Sequence, residues 1–133
     1  MKISVIIPVL HEQNQINRII NHLRSIDPDI EIIVIDGDPG NSTIAAIADK
    51  KVFRLTSTIK GRGNQLAAGA SAADGDILLM LHADTFLPSH AFSSILTAVS
   101  RGTDWGAFRL GIDATSPLYR VIERFVEIGR AHV

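Results

Sequence analysis

The sequence contains no cysteine among its 133 residues. This absence excludes a disulfide framework, a zinc site built from thiolates and a thiol nucleophile, and it fits a reducing compartment. An excess of one charge is also missing, because 13 Lys and Arg face 14 Asp and Glu and leave a formal net charge of -1. With no net field to attract nucleic acid or anionic lipid, any recognition of phosphate must depend on a local group of residues.

Long apolar runs are absent as well. The longest wholly apolar run, Ile77 to Leu81, is far shorter than the roughly 18 to 20 residues that cross a bilayer. The first segment, MKISVIIPVLHEQN, reaches charged residues where a signal peptide would have a small-residue cleavage site. We therefore expect one domain, residues 1–133, located in the cytoplasm and without a nucleic-acid partner.

The motifs of three large enzyme classes are missing too. The turn after the first apolar segment, PVLHEQNQ, has no glycine where a pyrophosphate could approach, and GxxxxGKS does not occur. Both absences argue against dinucleotide oxidoreductases and P-loop NTPases. GxSxG is absent as well, so a serine hydrolase has no marked nucleophile.

What the sequence does contain is an alternation of strand-like and helix-like segments. The predicted strands are 3–9, 30–36, 51–55, 77–81 and 104–112, and the predicted helices are 13–26, 43–50, 64–73, 88–100 and 116–130. This alternation predicts an α/β fold, a mostly parallel sheet with helices on both faces. The fourth strand is apolar on both faces, so we expect it at the centre of the sheet. Ligands of such sheets bind beyond the carboxyl ends of the strands, here after Val9, Asp36, Leu55 and His82.

Three groups of polar residues follow these strand ends. Asp36 ends the second strand, where a carboxylate either binds a ribose or a base N–H or simply shapes a surface turn. Lys60 and Arg62 precede a helix in KGRG, and they either bind a phosphate beside the helix dipole or form a solvated basic loop. His82 and Asp84 in LHADT either hold a divalent cation with substrate phosphates or act as hinge and cap.

The segments SVIIPVLHEQ, EIIVIDGDPGNST and KGRGNQLAAGASAADGDILLMLHADTFLP stand in an order that resembles the family 2 glycosyltransferases. The resemblance runs from about Lys2 to Trp105 and is closest to a bacterial subgroup with HAD in place of DxD. It implies the family's fold, a Rossmann-like nucleotide-binding GT-A domain. Because family members continue beyond this point, we expect the acceptor-side half to be missing from a truncated sequence.

The resemblance also implies roles for individual residues. Those that it places beside the donor nucleotide are Pro8, Val9, Glu12, Asp36, Lys60 and Arg62. The first four would hold the nucleoside, and the two cations would lie beside the diphosphate. Asp84, with His82, would bind Mg²⁺ or Mn²⁺.

By the same resemblance, we expect an inverting transfer of a sugar from a UDP or GDP sugar to an acceptor hydroxyl. The family's general base falls after the end of this sequence, and we interpret Glu123 and Glu127 as ion-pairing surface residues. The catalytic base therefore stays unassigned. A lipid-linked acceptor or a peripheral place on a membrane stays open. So do a catalytically silent nucleotide-binding or oligomerising domain of the same fold, and a nucleotidyltransferase.

The last predicted helix suggests self-association. Its apolar residues fall mostly on one stripe, namely Leu118, Val121, Ile122, Phe125, Val126 and Ile128. With the acceptor-side half missing, nothing in the sequence covers this stripe, which predicts a homodimer with two-fold symmetry. The alternative is a monomer in which the helix folds back over its own sheet.

Overall fold

A computed structural model gives the fold of residues 1–107. The elements are β1 (Ile3–Val9), α1 (Ile16–Ile26), β2 (Glu31–Asp36), β3 (Phe53–Thr56), α2 (Arg62–Ala72), β4 (Ile77–Met80) and α3 (Ala91–Ser100). A short 3-10 helix, Ile44–Ala46, lies between β2 and β3. The chain divides into two compact units, Met1–Ala91 and Phe92–Val133, and the first contains all four of these strands. The single domain predicted for residues 1–133 stays a prediction.

The four strands form one sheet in the order β3-β2-β1-β4, and each pair of neighbours is parallel. The chain moves outwards from β1 through β2 to β3, then returns to place β4 on the other side of β1. The strand order therefore reverses between β1 and β4, and such a switch point is where α/β sheets bind their ligands. The predicted α/β fold with a parallel sheet is confirmed.

One face of the sheet packs against α2. Ile6, Ile33 and Ile35 form a buried cluster there, and the partly buried residues packed against it are Leu55, Leu66, Ala68, Ala70 and Ala73. The intervening residues of β1 and β2 point to the opposite face and are also buried. The fully buried residues of α1 are Ile16, Ile19, Ile20 and Leu23. Because the β1–β2 and β3–β4 connections run in opposite directions, right-handed crossovers place α1 and α2 on opposite faces.

β4 does not have the central position that its apolar sequence predicted. Within residues 1–107 it pairs with β1 alone and ends the sheet, and Leu78 and Met80 are 40% and 44% exposed. An apolar run shows that a strand can be buried, but it does not fix how many neighbours the strand has. Of the predicted fifth strand, residues 104–107 are not in a strand and the rest lies outside the described residues.

The helix predicted for 43–50 is reduced to the 3-10 turn Ile44–Ala46. The side chain of Asn17 in α1 explains where this turn stops. Its Nδ2 donates to the carbonyl of Ala46 at 2.8 Å, and its Oδ1 accepts from the N–H of Ala48 at 3.0 Å. A longer helix would use these backbone groups itself, so the side chain competes with further helical turns.

Helix α2 begins two residues earlier than predicted, at Arg62. Gly61 precedes it with φ at 112°, a conformation that favours glycine, and its carbonyl accepts the N–H of Gln65 at 3.2 Å. Arg62 therefore lies in the first turn of the helix and not in the loop before it. Other boundaries differ as well, since α1 and α3 begin three residues later than predicted and β3 is shifted to 53–56. No helix within residues 1–107 is both long and apolar enough to span a bilayer.

Gly69 allows α2 to approach the sheet closely. A Cβ at this position would lie 2.5 Å from Cγ2 of Ile6 and 2.6 Å from Cδ1 of Ile35. We expect Gly69→Ala to lower the free energy of unfolding by about 1–3 kcal/mol, the usual cost of overpacking a core. Urea denaturation measures the change.

Gly63→Ala is the matched control in the same helix. A Cβ at Gly63 meets no atom within 4 Å. Because alanine favours helix over glycine, this variant should be neutral or more stable by up to about 1 kcal/mol. Equal destabilisation by both substitutions would contradict the close packing at Gly69.

An ion pair joins α1 to the segment before β3. Arg24 Nε donates to Asp49 Oδ2 at 2.8 Å, and Arg24 Nη1 donates to the carbonyl of Pro28 at 3.1 Å. The hydrogen bond from Arg24 lowers the pKa of Asp49, against an opposing effect of burial. The charged carboxylate is therefore the form that the fold favours.

Replacing Asp49 by Asn should make folding less dependent on acid pH. A lowered pKa means that the stabilisation by Asp49 is present above its ordinary value of about 3.9 and is lost as the pH falls through its value in the folded protein. Asp49→Asn should therefore unfold at lower urea than the wild type at pH 7, and the gap should close at strongly acidic pH. Asp29→Asn, at an exposed carboxyl beside β2, is the control. A gap that stays constant with pH would contradict the ion pair.

Candidate functional site

The carboxyl ends of β1, β2, β3 and β4 meet at one edge of the sheet because the strands are parallel. Hydrogen bonds continue the strand pairing past this edge. Gly37 N–H donates to the carbonyl of Val9 at 2.9 Å, and Leu81 N–H donates to the carbonyl of Ile6 at 2.9 Å. The segments that follow the strands therefore start from fixed positions. All the predicted site residues lie in or beside these segments.

Asp36, at the end of β2, is fully buried, with 0% of the residue exposed. Its Oδ1 accepts the N–H of Asp38 at 2.9 Å, and its Oδ2 accepts the N–H groups of Thr43 and Ile44 at 3.0 and 3.1 Å. The carboxylate thus holds the loop 37–43 in place. The geometry thus gives Asp36 a role in the shape of the turn, one of the two alternatives that the sequence left open, and its contact with a nucleoside stays a prediction.

The loop 37–43 carries a second carboxylate, Asp38. It accepts the N–H of Gly40 at 3.0 Å and the N–H of Ser42 at 3.2 Å, and hydrogen bonds from Ser42 and then Gly40 lower its pKa. Nδ1 of His11 lies 3.8 Å from Asp38 Oδ2. His11 and Asn41 both have left-handed backbone, with φ at 55° and 58°. Sequence reasoning did not single out Asp38, although the Asp-Pro-Gly turn was a signal for it.

The predicted residues of the first turn contribute mainly backbone. Pro8 and Val9 are buried in β1. The N–H of Glu12 donates to Oγ1 of Thr43 at 2.9 Å, which joins the turn after β1 to the loop after β2. Glu12 itself is half-buried, and its carbonyl accepts the N–H of Ile16 at the start of α1. The two loops are thereby held together as one surface.

Gln65 in α2 was missed by the sequence reasoning. It is 7% exposed, and its Nε2 donates to the carbonyl of Val9 at 2.8 Å and to the carbonyl of Ile35 at 2.9 Å. This amide fixes the first turns of α2 against the ends of β1 and β2. Its spacing of four residues from Gly69 put both on the sheet-facing side of the helix, and this was the signal available.

Arg62 and His82 are brought together, although 20 residues separate them. Arg62 Nη1 donates to His82 Nδ1, and the same Nη1 lies 3.4 Å from His82 Nε2. Lys60, Arg62, His82 and Asp84 are all exposed. Within residues 1–107 neither Lys60 nor Arg62 forms an ion pair with a carboxylate. No carboxylate of the described residues therefore neutralises either cation.

Asp84 lies in a turn directly after β4. The N–H of Thr85 donates to the carbonyl of His82 at 3.1 Å, which closes the turn, and Thr85 Oγ1 donates to Asp84 Oδ1 at 3.2 Å. No group of three or more potential metal ligands occurs among residues 1–107. The chemistry of the donors fits a hard cation that is bound by one carboxylate and completed by phosphate oxygens of a substrate.

The loop that follows Asp84 is fastened to α1. Nε2 of His22 lies 2.7 Å from the carbonyl oxygen and 3.1 Å from the nitrogen of Leu87. The ring of Phe86 meets the ring of His22 edge to face, with 5.0 Å between centroids, and the guanidinium of Arg18 lies 5.6 Å from the centroid of Phe86. These contacts hold the loop after β4, residues 81–87, against α1. They thereby restrict the position of Asp84 in that loop.

Two parts of the sequence-based interpretation lie outside the described residues. Glu123 and Glu127, interpreted as surface residues, are among them. The apolar stripe of the segment 116–130 is another, and with it the predicted homodimer.

Reversed strand order and exposed cations at the carboxyl edge define an α/β domain with a Rossmann-like arrangement. Comparison with protein families then identifies the chain more closely. The family model described as glycosyl transferase family 2 matches residues 4–130, so the chain belongs to that family. The bacterial subgroup with HAD stays a prediction.

Three curated relatives show how much of such proteins the chain represents. A dolichol-phosphate mannosyltransferase of Pyrococcus furiosus is 30% identical over 114 residues, 78% of this chain and 32% of that protein. Protein RfbJ of Shigella flexneri is 34% identical over 82 residues, 62% of this chain and 64% of RfbJ. An undecaprenyl-phosphate 4-deoxy-4-formamido-L-arabinose transferase of Proteus mirabilis is 28% identical over 77% of this chain and 35% of its own length. The chain thus spans about a third of two of these relatives.

Solved structures with the same fold include the glucosyl-3-phosphoglycerate synthase of Mycobacterium tuberculosis. Its complex with UDP has a TM-score of 0.62 at 21% identity, over 84% of this chain and 45% of the enzyme. Its complex with Mn²⁺, UDP and glucosyl-3-phosphoglycerate has a TM-score of 0.61 at 21% identity, over 74% of this chain and 39% of the enzyme. These likenesses confirm a GT-A-like fold.

Removing the Asp36 side chain should lower the stability of the fold. Asp36→Ala leaves three backbone N–H groups without their acceptor, and a buried unpaired group costs about 1–3 kcal/mol. We expect the free energy of unfolding to fall by on the order of 3 kcal/mol and the amides of Thr43 and Ile44 to lose protection from hydrogen exchange. Asp38→Asn, in the same loop but partly exposed, should cost less. Wild-type stability and protection in Asp36→Ala would contradict this role.

Proposed function

We propose that this chain is the donor-binding part of a glycosyltransferase that takes a nucleoside diphosphate sugar, of the UDP or GDP type, at the carboxyl edge of its sheet. The observation that carries the proposal is the meeting of Arg62 and the turn with Asp84 across the switch point between β1 and β4. Membership of glycosyl transferase family 2 supports the reaction class. The sugar would pass to an acceptor hydroxyl with inversion at its anomeric carbon.

In this proposal the diphosphate binds at the first turn of α2. Arg62 and Lys60 supply positive charge there, and N–H groups at the start of the helix point towards the same place. The diphosphate is the leaving group, and negative charge grows on it as the bond to the sugar breaks. Cations already fixed beside it stabilise that charge more in the transition state than in the ground state. Their contribution therefore goes to the rate as well as to binding.

A divalent cation would be held by Asp84 and by oxygens of the diphosphate. Mg²⁺ or Mn²⁺, when bound, neutralises part of the charge of the leaving group. Structures of the synthase of Mycobacterium tuberculosis with UDP and Mn²⁺ or Mg²⁺ support this assignment. The carboxylate of Asp84 has no cation partner among residues 1–107, so its charge is available.

The nucleoside would lie over the turn after β1 and the loop 37–43. Glu12 is the half-buried acid of that surface, while Pro8 and Val9 define its floor through the backbone. Asp36 acts on the nucleoside through the loop that it holds.

For the acceptor we propose a lipid-linked molecule. The support is the names of two relatives, which refer to dolichol phosphate and undecaprenyl phosphate. The general base stays unassigned, and the homodimer and the cytoplasmic location stay predictions.

A radiolabelled transfer assay with a panel of UDP and GDP sugars and short-chain polyprenyl phosphates tests the activity. Specific nucleotide binding without transfer in the full-length natural protein would favour the catalytically silent domain, and release of pyrophosphate from a nucleoside triphosphate would favour a nucleotidyltransferase.

Asp84→Ala should abolish the part of nucleotide affinity that depends on metal. We expect Mn²⁺ to strengthen binding of UDP or GDP to the wild type, measured by calorimetry, and to have no effect on the variant, because the carboxylate assigned to the cation site is gone. Thermal unfolding should be unchanged, since the side chain is exposed.

Asp29→Ala removes another exposed acidic side chain, just before β2 at the opposite edge of the sheet, and is the matched control. It should respond to Mn²⁺ as the wild type does. A response to Mn²⁺ that persists in Asp84→Ala would contradict the metal role of this carboxylate.

A further inference from the structure

The two polar residues of the HAD sequence, His82 and Asp84, have different hydrogen-bond partners. Arg62 Nη1 donates to His82 Nδ1, while the carboxylate of Asp84 accepts a hydrogen bond from the hydroxyl of Thr85. A guanidinium has donors and no acceptor, so the lone pair in this bond comes from the imidazole. That lone pair is the one that a metal ion would need at Nδ1.

The arginine needs a partner for a physical reason. Its side chain is long and exposed, and it lies at the first turn of α2 without a carboxylate beside it. An unpartnered side chain of this kind samples many rotamers, and that freedom is lost when it closes on a ligand. A hydrogen bond that already selects the bound rotamer reduces this loss.

The chemical nature of the partner matters as well. A carboxylate at position 82 would order the guanidinium but would also neutralise it, and the attraction for a phosphate would fall. An imidazole that accepts the hydrogen bond orders the guanidinium without placing a negative charge beside it. The backbone of His82 is held in place by two hydrogen bonds. Its carbonyl accepts the N–H of Thr85, and the N–H of the preceding residue, Leu81, donates to the carbonyl of Ile6 in β1.

From these contacts we infer that His82 is a positioning residue for Arg62, and that of the two polar residues of HAD only Asp84 is a ligand of the cation. The imidazole holds the guanidinium over the start of α2, ready for a diphosphate. The inference rests on the proposed function in one respect, namely that a diphosphate binds at this place.

A double-mutant cycle tests the inference. His82→Phe keeps a ring of similar size and removes both nitrogen atoms, and Arg62→Ala removes the guanidinium. We expect His82→Phe to weaken UDP or GDP, whichever the wild type prefers, by about fivefold, the effect of about one hydrogen bond. The loss should be the same in EDTA and in Mn²⁺, and the corresponding nucleoside should bind as before. In the Arg62→Ala background His82→Phe should have no further effect.

A second double-mutant cycle combines His82→Phe with Asp84→Ala, and here we expect no coupling between the two substitutions. If His82 acts through Arg62, its effect and that of Asp84→Ala should be additive as free energies. If His82 is a metal ligand, the loss in His82→Phe will occur in Mn²⁺ only and will disappear in the Asp84→Ala background. That result, or an undiminished loss in the Arg62→Ala background, would overturn the inference and leave the proposed function standing.

A measurement without nucleotide separates the two claims further. In long-range ¹H–¹⁵N spectra of the ligand-free protein, Nδ1 of His82 should accept the hydrogen bond and carry no proton of its own, and its signal should move in Arg62→Ala. A proton on Nδ1, or no response to Arg62→Ala, would overturn the inference by itself. A wild-type protein that binds no nucleoside diphosphate would overturn the proposed function, and the positioning role with it, even where these spectra show the contact.

Discussion

A buried carboxylate cannot stay unpaired, and the way in which Asp36 is paired determines the shape of the candidate site. Its carboxylate accepts hydrogen bonds from three backbone N–H groups of the segment after β2, and these bonds hold that segment against the end of the strand. Thr43, fixed by one of these bonds, offers its hydroxyl to the N–H of Glu12, so the turn after β1 is fixed in the same way. Gln65 closes the arrangement from α2 by binding the carbonyls of Val9 and Ile35. The ends of two strands and the start of a helix thus depend on a few buried polar groups.

The exposed charges stand on this rigid frame. Arg62 begins α2, and its partner His82 follows β4, so the contact between them spans the point at which the strand order reverses. The β4 loop is also held to α1 through His22 and Phe86. In the proposed function, these cations would lie beside the leaving diphosphate, where electrostatic stabilisation of the transition state requires positive charge.

The sequence was sufficient for the parts of the fold that depend on local patterns. β-branched runs indicated β1 and β2, and the spacing of Ile16, Ile19, Ile20 and Leu23 indicated α1. The carboxyl edge followed from parallel topology. The end of the 3-10 turn at Ala46 could not be predicted in this way, because it depends on a contact with Asn17, which is far away in the chain. The meeting of Arg62 with His82 likewise depends on tertiary contacts and rotamers that no local pattern encodes, whereas the turn-shaping role of Asp36 was one of the two alternatives that the sequence offered. The edge position of β4 in the described sheet is a property of its neighbours and not of its own residues.

The central claim is that a nucleoside diphosphate binds where these segments meet. It is tested most directly by following backbone amide signals in ¹H–¹⁵N spectra while UDP or GDP is added to the protein with Mn²⁺ replaced by diamagnetic Mg²⁺. The largest shifts should fall in residues 10–12, 37–43, 60–65 and 81–85, which surround the switch point. Largest shifts at the opposite edge, around Glu31 and Asp74, or no shifts with either nucleotide, would contradict the claim.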